Sequence, residues 1–159
     1  MQEQAIARPV DRFFDAYSAD HRDATNQLLH VLCVPAIVWS LLALVYCIPL
    51  GEGAHTGLLA AVLALVAVAF WCWLSLPLWI GAGVAMALSV WAVAALHAAL
   101  GSGGLAVVGA VVFVVAWIGQ FIGHHIEGRR PSFFTDLVYL MIGPVWVLAK
   151  AYRKTSLAY

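Results

Sequence analysis

Long apolar stretches alternate with short polar segments along the chain, and this pattern predicts helices that cross a membrane. The first stretch runs from about Gln27 to Leu50. No charged residue occurs between Gly57 and Leu100. Because one span needs about 20 residues, this run is long enough for two. We divide it near Leu76-Pro77-Leu78 into spans of about 57–75 and 79–100.

The second half of the chain continues the pattern with one full span and one shorter segment. Gly101-Ser-Gly-Gly104 predicts a turn, and a fourth span follows from about Leu105 to Gly123 or slightly beyond. A polar loop at 127–136 precedes a fifth apolar segment, at about 137–149, which Gly143-Pro144 interrupts. At about 13 residues this segment is short for a span, which favours a re-entrant or interfacial helix.

The N-terminal region is polar and predicts a short amphipathic helix from Pro9 to Tyr17, because Phe13, Phe14 and Tyr17 fall at helical spacing. Such a helix can lie on the membrane surface or pack on the bundle, and the sequence favours neither. A polar turn follows at Ser18–Asn26. The N-terminus lacks the apolar core of a cleavable signal peptide, so we expect the first span to act as the insertion signal.

Composition supports the same fold class, an all-α membrane bundle. Of 159 residues, 64% are hydrophobic and only 10% are charged, whereas soluble domains carry about 25% charged residues. The zero net charge gives no indication of nucleic-acid binding. Three cysteines without CxxC spacing predict buried thiols. We predict a single membrane domain over 1–159, with a cytoplasmic segment (1–26), four transmembrane helices (27–126), and a polar loop, short apolar helix and basic tail (127–159).

The distribution of lysine and arginine gives the orientation, because loops rich in these residues stay in the cytoplasm. With four spans, the segment before the first span and the segment after the fourth span lie on the same side of the membrane. Both segments are basic. The basic tail would face the wrong side if the fifth segment crossed fully, which favours a helix that does not cross. The residues concerned are Arg8, Arg12 and Arg22, then Arg129 and Arg130, and in the tail Lys150, Arg153 and Lys154.

The span count also sorts the six histidines by membrane depth. Four lie at the cytoplasmic ends of the first and fourth spans and can meet there. Two lie near the opposite face, and we expect them to be outside any shared site. The first group is His21, His30, His124 and His125, and the second is His55 and His97.

The grouped histidines have polar neighbours at helical spacing. Asn26 precedes His30 by four residues, while Gln120 and Glu127 lie four before and three after His124, so each set shares a helix face. Imidazole is a common ligand for iron, zinc and copper, and amide or carboxylate partners often orient such ligands. The pattern therefore predicts a metal site built from two helix ends.

Two questions about this site stay open at the level of sequence. His21 and His30 are nine residues apart and can converge only if the turn between them breaks the helix. His125 is rotated by about 100° from His124, so either or both could bind the metal. The alternative is a purely structural role, in which the histidines anchor helix ends at the membrane interface and Glu127 only pairs with the neighbouring arginines or contacts phospholipid.

Three motifs add a resemblance to these inferences: Tyr17-x3-His21-x4-Asn26-x3-His30-x4-Pro35, Trp117-x2-Gln120-Phe-Ile-Gly-His124-His-Ile-Glu127-Gly-Arg-Arg-Pro131, and Ile142-Gly-Pro144. The chain resembles the 2-hydroxy fatty acid dioxygenase family, the Mpo1-like membrane proteins of fungal endoplasmic reticulum and of bacteria. The resemblance covers most of the chain and is specific in the polar motifs. This chain departs from the family in having His125 where another residue is usual, and in a segment one residue shorter than in the fungal members.

The resemblance implies Fe(II)-dependent α-oxidation, in which a 2-hydroxy long-chain fatty acid and O2 give an acid one carbon shorter. The charge distribution and span count place this site on the cytoplasmic side, and the resemblance implies a bacterial inner membrane or, in a eukaryote, the endoplasmic reticulum membrane. Membrane lipid is the other expected contact, and the sequence does not indicate an oligomeric state. The expected residues are His21, His30, His124 and His125 for the metal, Asn26, Gln120 and Glu127 for catalysis, and Tyr17, Arg129 and Arg130 for the substrate.

A non-enzymatic lipid-binding or scaffold protein is the alternative function. It predicts that the imidazoles of His21, His30 and His124 lie more than about 8 Å apart, because metal–nitrogen bonds are only about 2.0–2.1 Å long. A transporter is disfavoured, since no charged residue lies deep in the spans and no internal repeat is visible.

Overall fold

Helices make up nearly all of the part of the chain that the computed structural model describes, residues 9–51, 57–128 and 133–155. No strand occurs within these ranges, so the predicted all-α class is confirmed. The helices are α1 (Pro9–Asp20), α2 (Ala24–Tyr46), α3 (Leu58–Leu74), α4 (Leu76–Glu127) and α5 (Phe133–Lys154).

A three-residue break separates α1 from α2, within the polar turn that the sequence predicts. The side chain of Asp23 caps the new helix, because its Oδ1 accepts hydrogen bonds from the backbone N–H groups of Thr25 (2.8 Å) and Asn26 (3.0 Å). An N-terminal cap of this kind satisfies donors that have no partner inside the helix. The chain can therefore change direction between His21 and His30.

One residue divides α4 into two helical halves, 76–100 and 102–127. Gly101 has φ 68° and ψ 178°, a left-handed conformation that side chains disfavour. The sequence predicts a four-residue turn at Gly101–Gly104, but the other three residues continue the helix. The predicted turn is thus correct in position and too long, because a single glycine provides the required backbone angles.

The two halves of α4 meet at the C-terminal end of α2. The rings of Tyr46 and His97 have centroids 5.1 Å apart, and the Sγ of Cys47 donates to the carbonyl of Ser102, 3.3 Å away. Farther along the second half, Gly123 lies against Asn26, at the start of α2. The second half is therefore antiparallel to α2, and the chain reverses at Gly101.

Helix α5 has 22 residues, and the predicted short segment at 137–149 is wrong in length. Pro144 lies inside this helix, as Pro35 lies inside α2. Proline removes one backbone donor, and helices in apolar surroundings tolerate that loss when neighbouring helices support them. The prediction covers only the apolar run, whereas the helix also includes the flanking residues 133–136 and 150–154.

The contacts of α5 gather at one end of the bundle. Trp71, near the end of α3, donates from Nε1 to the carbonyl of Met141 at 2.8 Å. The Nζ of Lys150 donates to the side chain of Gln27, near the start of α2. Helix α5 thus packs on the end of the bundle where α1 and α2 are joined.

Apolar side chains cover much of the outer surface, and small residues fill much of the interior. Large exposed apolar side chains occur on α2, on α3 and on both halves of α4, including Leu65 and Trp91 at 69% exposure each. Such a surface is rare on soluble monomers. Helices α2 and α4 are long and apolar enough to cross a membrane, and α3 is a shorter apolar helix. The buried face of α3 carries Ala60, Ala64 and Ala67, which allow close helix approach.

We predict that Gly123→Ala destabilises the protein. A Cβ at this position would overlap the Oδ1 of Asn26, and Asn26 cannot swing away without losing its hydrogen bond to Glu127. Overpacking of this kind costs about 1–3 kcal/mol, so the thermal unfolding temperature in detergent should fall. Gly83→Ala is the matched control, because nothing lies within 4 Å of its new Cβ. Equal unfolding temperatures for the two variants would contradict this account.

Candidate metal centre

Three imidazoles from three parts of the chain converge at the end of the bundle. His21 lies in the break after α1, His30 on α2 and His124 on the second half of α4. Their ring centroids are 4.2 Å (His21–His30), 5.1 Å (His30–His124) and 5.8 Å (His21–His124) apart. His21 and His30 are buried. One nitrogen from each ring lies within 4.8 Å of the others, far closer than the 8 Å that the non-enzymatic alternative predicts.

Backbone carbonyls determine which nitrogen of each buried imidazole carries the proton. The Nδ1 of His21 lies 2.6 Å from the carbonyl oxygen of Tyr17, and the Nδ1 of His30 lies 3.0 Å from that of Asn26. A carbonyl oxygen can only accept, so both Nδ1 atoms must be the donors. Each carbonyl belongs to the residue four positions earlier, so local helical structure orients both rings.

The remaining nitrogens of this pair point at each other. The Nε2 atoms of His21 and His30 are 2.9 Å apart. In the neutral rings neither Nε2 carries a hydrogen, so two lone pairs face each other in a buried place. A cation relieves this repulsion, either a proton on one ring or a metal ion shared by both. The donation of Nδ1–H to a backbone carbonyl is the usual arrangement of a metal-binding histidine.

The spacing of the three histidines fits one metal ion. Two nitrogens on the same ion are at most about 4.2 Å apart when each bond is about 2.1 Å. The 2.9 Å separation of the His21 and His30 nitrogens falls within that limit. The three ligand nitrogens all lie within 4.8 Å of one another, so they need to close by at most roughly half an ångström to share one ion. A proton would bridge only two of the rings, whereas a metal ion uses all three.

The other histidines do not join this cluster. His125 is exposed and is not part of the three-histidine group, as its rotation of about 100° from His124 on the helix requires. His97 lies at the opposite end of α2, where its Nε2 is 3.0 Å from the Oγ of Ser102. His55 is outside the described residues. Of the two neighbours at 124 and 125, the structure therefore brings His124 to the centre.

Glu127 joins the end of α4 to the turn that carries His21. Its Oε1 accepts from the backbone N–H of Arg22 at 2.9 Å. Its Oε2 accepts from the backbone N–H of Asp23 at 3.0 Å and from the Nδ2 of Asn26 at 2.9 Å. These three contacts occupy both carboxylate oxygens. Glu127 and Asn26, which the sequence suggests as catalytic residues, are thus engaged in holding the histidine-bearing segments together.

Aromatic residues of α1 and α5 enclose the first histidine. Tyr17 is buried and stacks on His21, with centroids 4.1 Å apart and ring planes 8° from parallel. Tyr139 and Trp146 pack against Tyr17 with centroids 4.8 Å away in each case. The Nε1 of Trp146 donates to the Oγ of Ser18 at 3.0 Å. Of these residues only Tyr17 is among those expected from the sequence; Tyr139 and Trp146 are not.

The missed residues have a pattern that could have indicated them. Tyr139, Gly143 and Trp146 follow each other at intervals of four and three, which puts them on one helix face. Gly143 completes this face, because a Cβ there would lie 3.0 Å from Val34 and 3.4 Å from the hydroxyl of Tyr17. The face is therefore shaped to fit α1 and α2.

A cavity of about 90 Å³ adjoins the histidines. Gln120 is buried and lies on its wall. Trp117 also lines it, and the Nε1 of Trp117 is one of two buried side-chain atoms without a hydrogen-bond partner among the residues described. Arg129 and Arg130, the expected carboxylate-binding residues, lie outside the described ranges. The wall is formed by Tyr17, His21, His30, Val34, Ile37, Trp117, Gln120, His124, Tyr139 and Leu140.

Comparison with known proteins agrees with the geometry. A family model described as 2-hydroxy-palmitic acid dioxygenase Mpo1-like matches residues 7–155. The chain belongs to this family. It is similar to the 2-hydroxy-palmitic acid dioxygenase MPO1 of Saccharomyces cerevisiae, with 29% identity over 140 residues that cover 83% of this chain and 73% of the yeast protein. No solved structure matches the chain. Membership in the Mpo1-like family, which the polar motifs predict, is confirmed.

We predict that Glu127→Gln loosens the turn around His21. A carboxamide keeps only one of the two acceptor oxygens. Its NH2 group would face an N–H donor of Arg22, Asp23 or Asn26 and could not accept from it. A hydrogen bond lost in this way costs about 1–3 kcal/mol, and we expect faster hydrogen exchange at the amides of Arg22 and Asp23.

Asp15→Asn is the control for the Glu127 variant, because Asp15 is exposed on α1 and the change removes the same charge. Exchange at Arg22 and Asp23 should be unchanged in this variant. If the Glu127 variant also exchanges at the wild-type rate, the carboxylate does not hold the turn.

Proposed function

We propose that this member of the Mpo1-like family is an Fe(II)-dependent dioxygenase that shortens 2-hydroxy long-chain fatty acids by one carbon. The observation that carries the proposal is the pair of unprotonated Nε2 atoms, 2.9 Å apart, beside a third imidazole. The similarity to a protein named 2-hydroxy-palmitic acid dioxygenase supports the substrate class.

The proposed reaction balances with one O2. The 2-hydroxy acid R–CH(OH)–COOH and O2 give R–COOH, CO2 and water. The bond between C1 and C2 breaks, C2 becomes the new carboxyl carbon, and the four electrons removed from the two carbons reduce O2. No further reductant is needed.

The residues of the site have distinct proposed roles. His21, His30 and His124 hold the metal, and the backbone carbonyls of Tyr17 and Asn26 keep the two buried rings in the required tautomer. Fe(II), when bound, supplies the one-electron chemistry through which O2 can react with an organic acid. Because all three ligands are neutral, the charge of the ion is not compensated by the protein, which favours an anionic carboxylate in the cavity.

In this proposal the remaining expected residues hold the metal ligands or the substrate in place and do not react themselves. Glu127 and Asn26 fix the segments that carry the ligands, and Tyr17 fixes the plane of His21 by stacking. Gln120 lines the cavity and can contact the bound acid. Arg129 and Arg130 remain proposed contacts for the carboxylate as it enters from the cytoplasm.

We place the protein in a membrane with four crossing segments: α2, α3 and the two halves of α4. The exposed apolar side chains on each segment and the reversal at Gly101 support this arrangement. Helix α5 contacts the ends of α2 and α3, so we place it at the interface rather than across the bilayer. Basic segments then lie in the cytoplasm, with the metal centre at that surface of a bacterial inner membrane, or of the endoplasmic reticulum in a eukaryote.

We predict that the double variant His30→Ala/His124→Ala loses bound iron. The wild-type protein, purified and reconstituted anaerobically with Fe(II), should hold about one iron per chain. Loss of two of three ligands should reduce this to the background of the buffer, because one imidazole cannot hold a divalent ion tightly. Metal analysis by mass spectrometry gives the ratio directly.

His97→Ala is the matched control for the histidine variants, since it removes an imidazole at the other end of α2. Its iron content should equal that of the wild type. A wild-type protein without iron, or a double variant that keeps it, would favour a non-enzymatic lipid-binding role instead.

We predict that iron-loaded protein converts a 2-hydroxy acid to the acid one carbon shorter only when O2 is present. Label placed at C1 should leave as CO2, and the new acid should contain oxygen from ¹⁸O2. Mass spectrometry of both products tests this. Retention of the C1 label in the acid product would exclude α-oxidation.

A further inference from the structure

The indole N–H of Trp117 has no hydrogen-bond acceptor in the described part of the protein. Its Nε1 and the Oδ1 of Asn26 are the two buried side-chain atoms there without a partner. Only Trp117 also lines the cavity beside the histidines. An unpaired buried donor is costly, which raises the question of what satisfies this one.

Trp117 lies on the helix face that carries the metal centre. Gln120 follows it by three residues and His124 by seven, so the three side chains form one stripe along the second half of α4. Phe113 and Phe121 hold the indole on either side, with ring centroids 6.1 Å and 5.6 Å away. The indole is therefore a fixed part of the cavity wall.

The cavity volume determines which part of a fatty acid can meet this donor. A cavity of about 90 Å³ holds only a small part of a long-chain acid. This is enough for a carboxylate and the carbon next to it, and too little for a long chain. Because the three histidines line the same cavity as Trp117, the head of an acid bound at the proposed metal would lie next to the indole.

The chemistry of the indole donor favours the carboxylate over the hydroxyl group as its partner. The residues that line the cavity include no lysine or arginine, so a carboxylate inside it relies on neutral donors and the metal. An indole N–H can only donate, a carboxylate can only accept, and hydrogen bonds to a charged acceptor are the stronger kind.

We infer that Trp117 is a substrate-binding residue whose indole N–H donates a hydrogen bond to the carboxylate of the 2-hydroxy acid. This inference rests on the proposed function. It assigns recognition of the carboxylate inside the cavity to a neutral donor on α4.

The test compares three ligands that share an eight-carbon chain: 2-hydroxyoctanoic acid, octanoic acid and 1,2-octanediol. Their dissociation constants are measured anaerobically on iron-loaded wild-type protein and on Trp117→Phe, which keeps an aromatic ring and removes the N–H. A hydrogen bond to a charged group corresponds to a change of about tenfold or more. We expect the variant to bind both acids about tenfold more weakly and the diol within twofold of the wild type.

Trp91→Phe is the matched control, because Trp91 is 69% exposed on the other half of α4. It should bind all three ligands as the wild type does. Unchanged affinities in Trp117→Phe, or an equal loss for the diol, would overturn the inference and assign Trp117 a packing role.

Iron content and turnover separate this inference from the proposed function. If the wild type holds iron and shortens the 2-hydroxy acid while Trp117→Phe binds the acids normally, only the inference on Trp117 fails. If the wild type holds no iron and does not prefer acids to the diol, both fail.

Discussion

The carboxylate of Glu127 joins two parts of the chain that are about a hundred residues apart in sequence. An acid at the C-terminal end of a helix is locally unfavourable, because the helix dipole places partial negative charge there. Its three hydrogen bonds to Arg22, Asp23 and Asn26 offset that cost, and it lies beside the N-terminus of α2, where negative charge is favourable. Since His124 precedes it by one turn, the contact also brings the third imidazole to the other two.

The metal centre combines local orientation with distant convergence. Each buried imidazole is held by the carbonyl four residues before it, so local contacts within α1 and α2 help to orient the rings of His21 and His30. Their approach to His124 depends on the reversal at Gly101 and on the contact of Gly123 with Asn26. The facing lone pairs are the consequence, and they make this end of the bundle a site for a cation.

The sequence predicts the parts of this structure that depend on apolar runs and helical periodicity. Counting spans places His21, His30 and His124 at one end and His97 at the other, as observed. The length of α5 is not predictable in this way, because the helix continues beyond the apolar run into polar residues at both ends, such as Asp136 and Lys150. The same limitation applies to the choice between His124 and His125, which depends on how α4 is rotated against α2.

The size of the cavity relates the fold to the proposed substrate. Roughly 90 Å³ beside the histidines accommodates an acid head, so the tail of a long-chain acid has to extend beyond it. The outer faces of α2 and α4 are covered with exposed apolar side chains such as Leu32 and Val115, and an acyl chain that leaves the cavity would remain in apolar surroundings there. Selection by the head group, with the tail in the lipid, would allow a small helical bundle to act on chains much longer than its own cavity. For such a substrate, the end of the bundle is where a polar head and an apolar tail would be accommodated together, and this is where the three histidines lie.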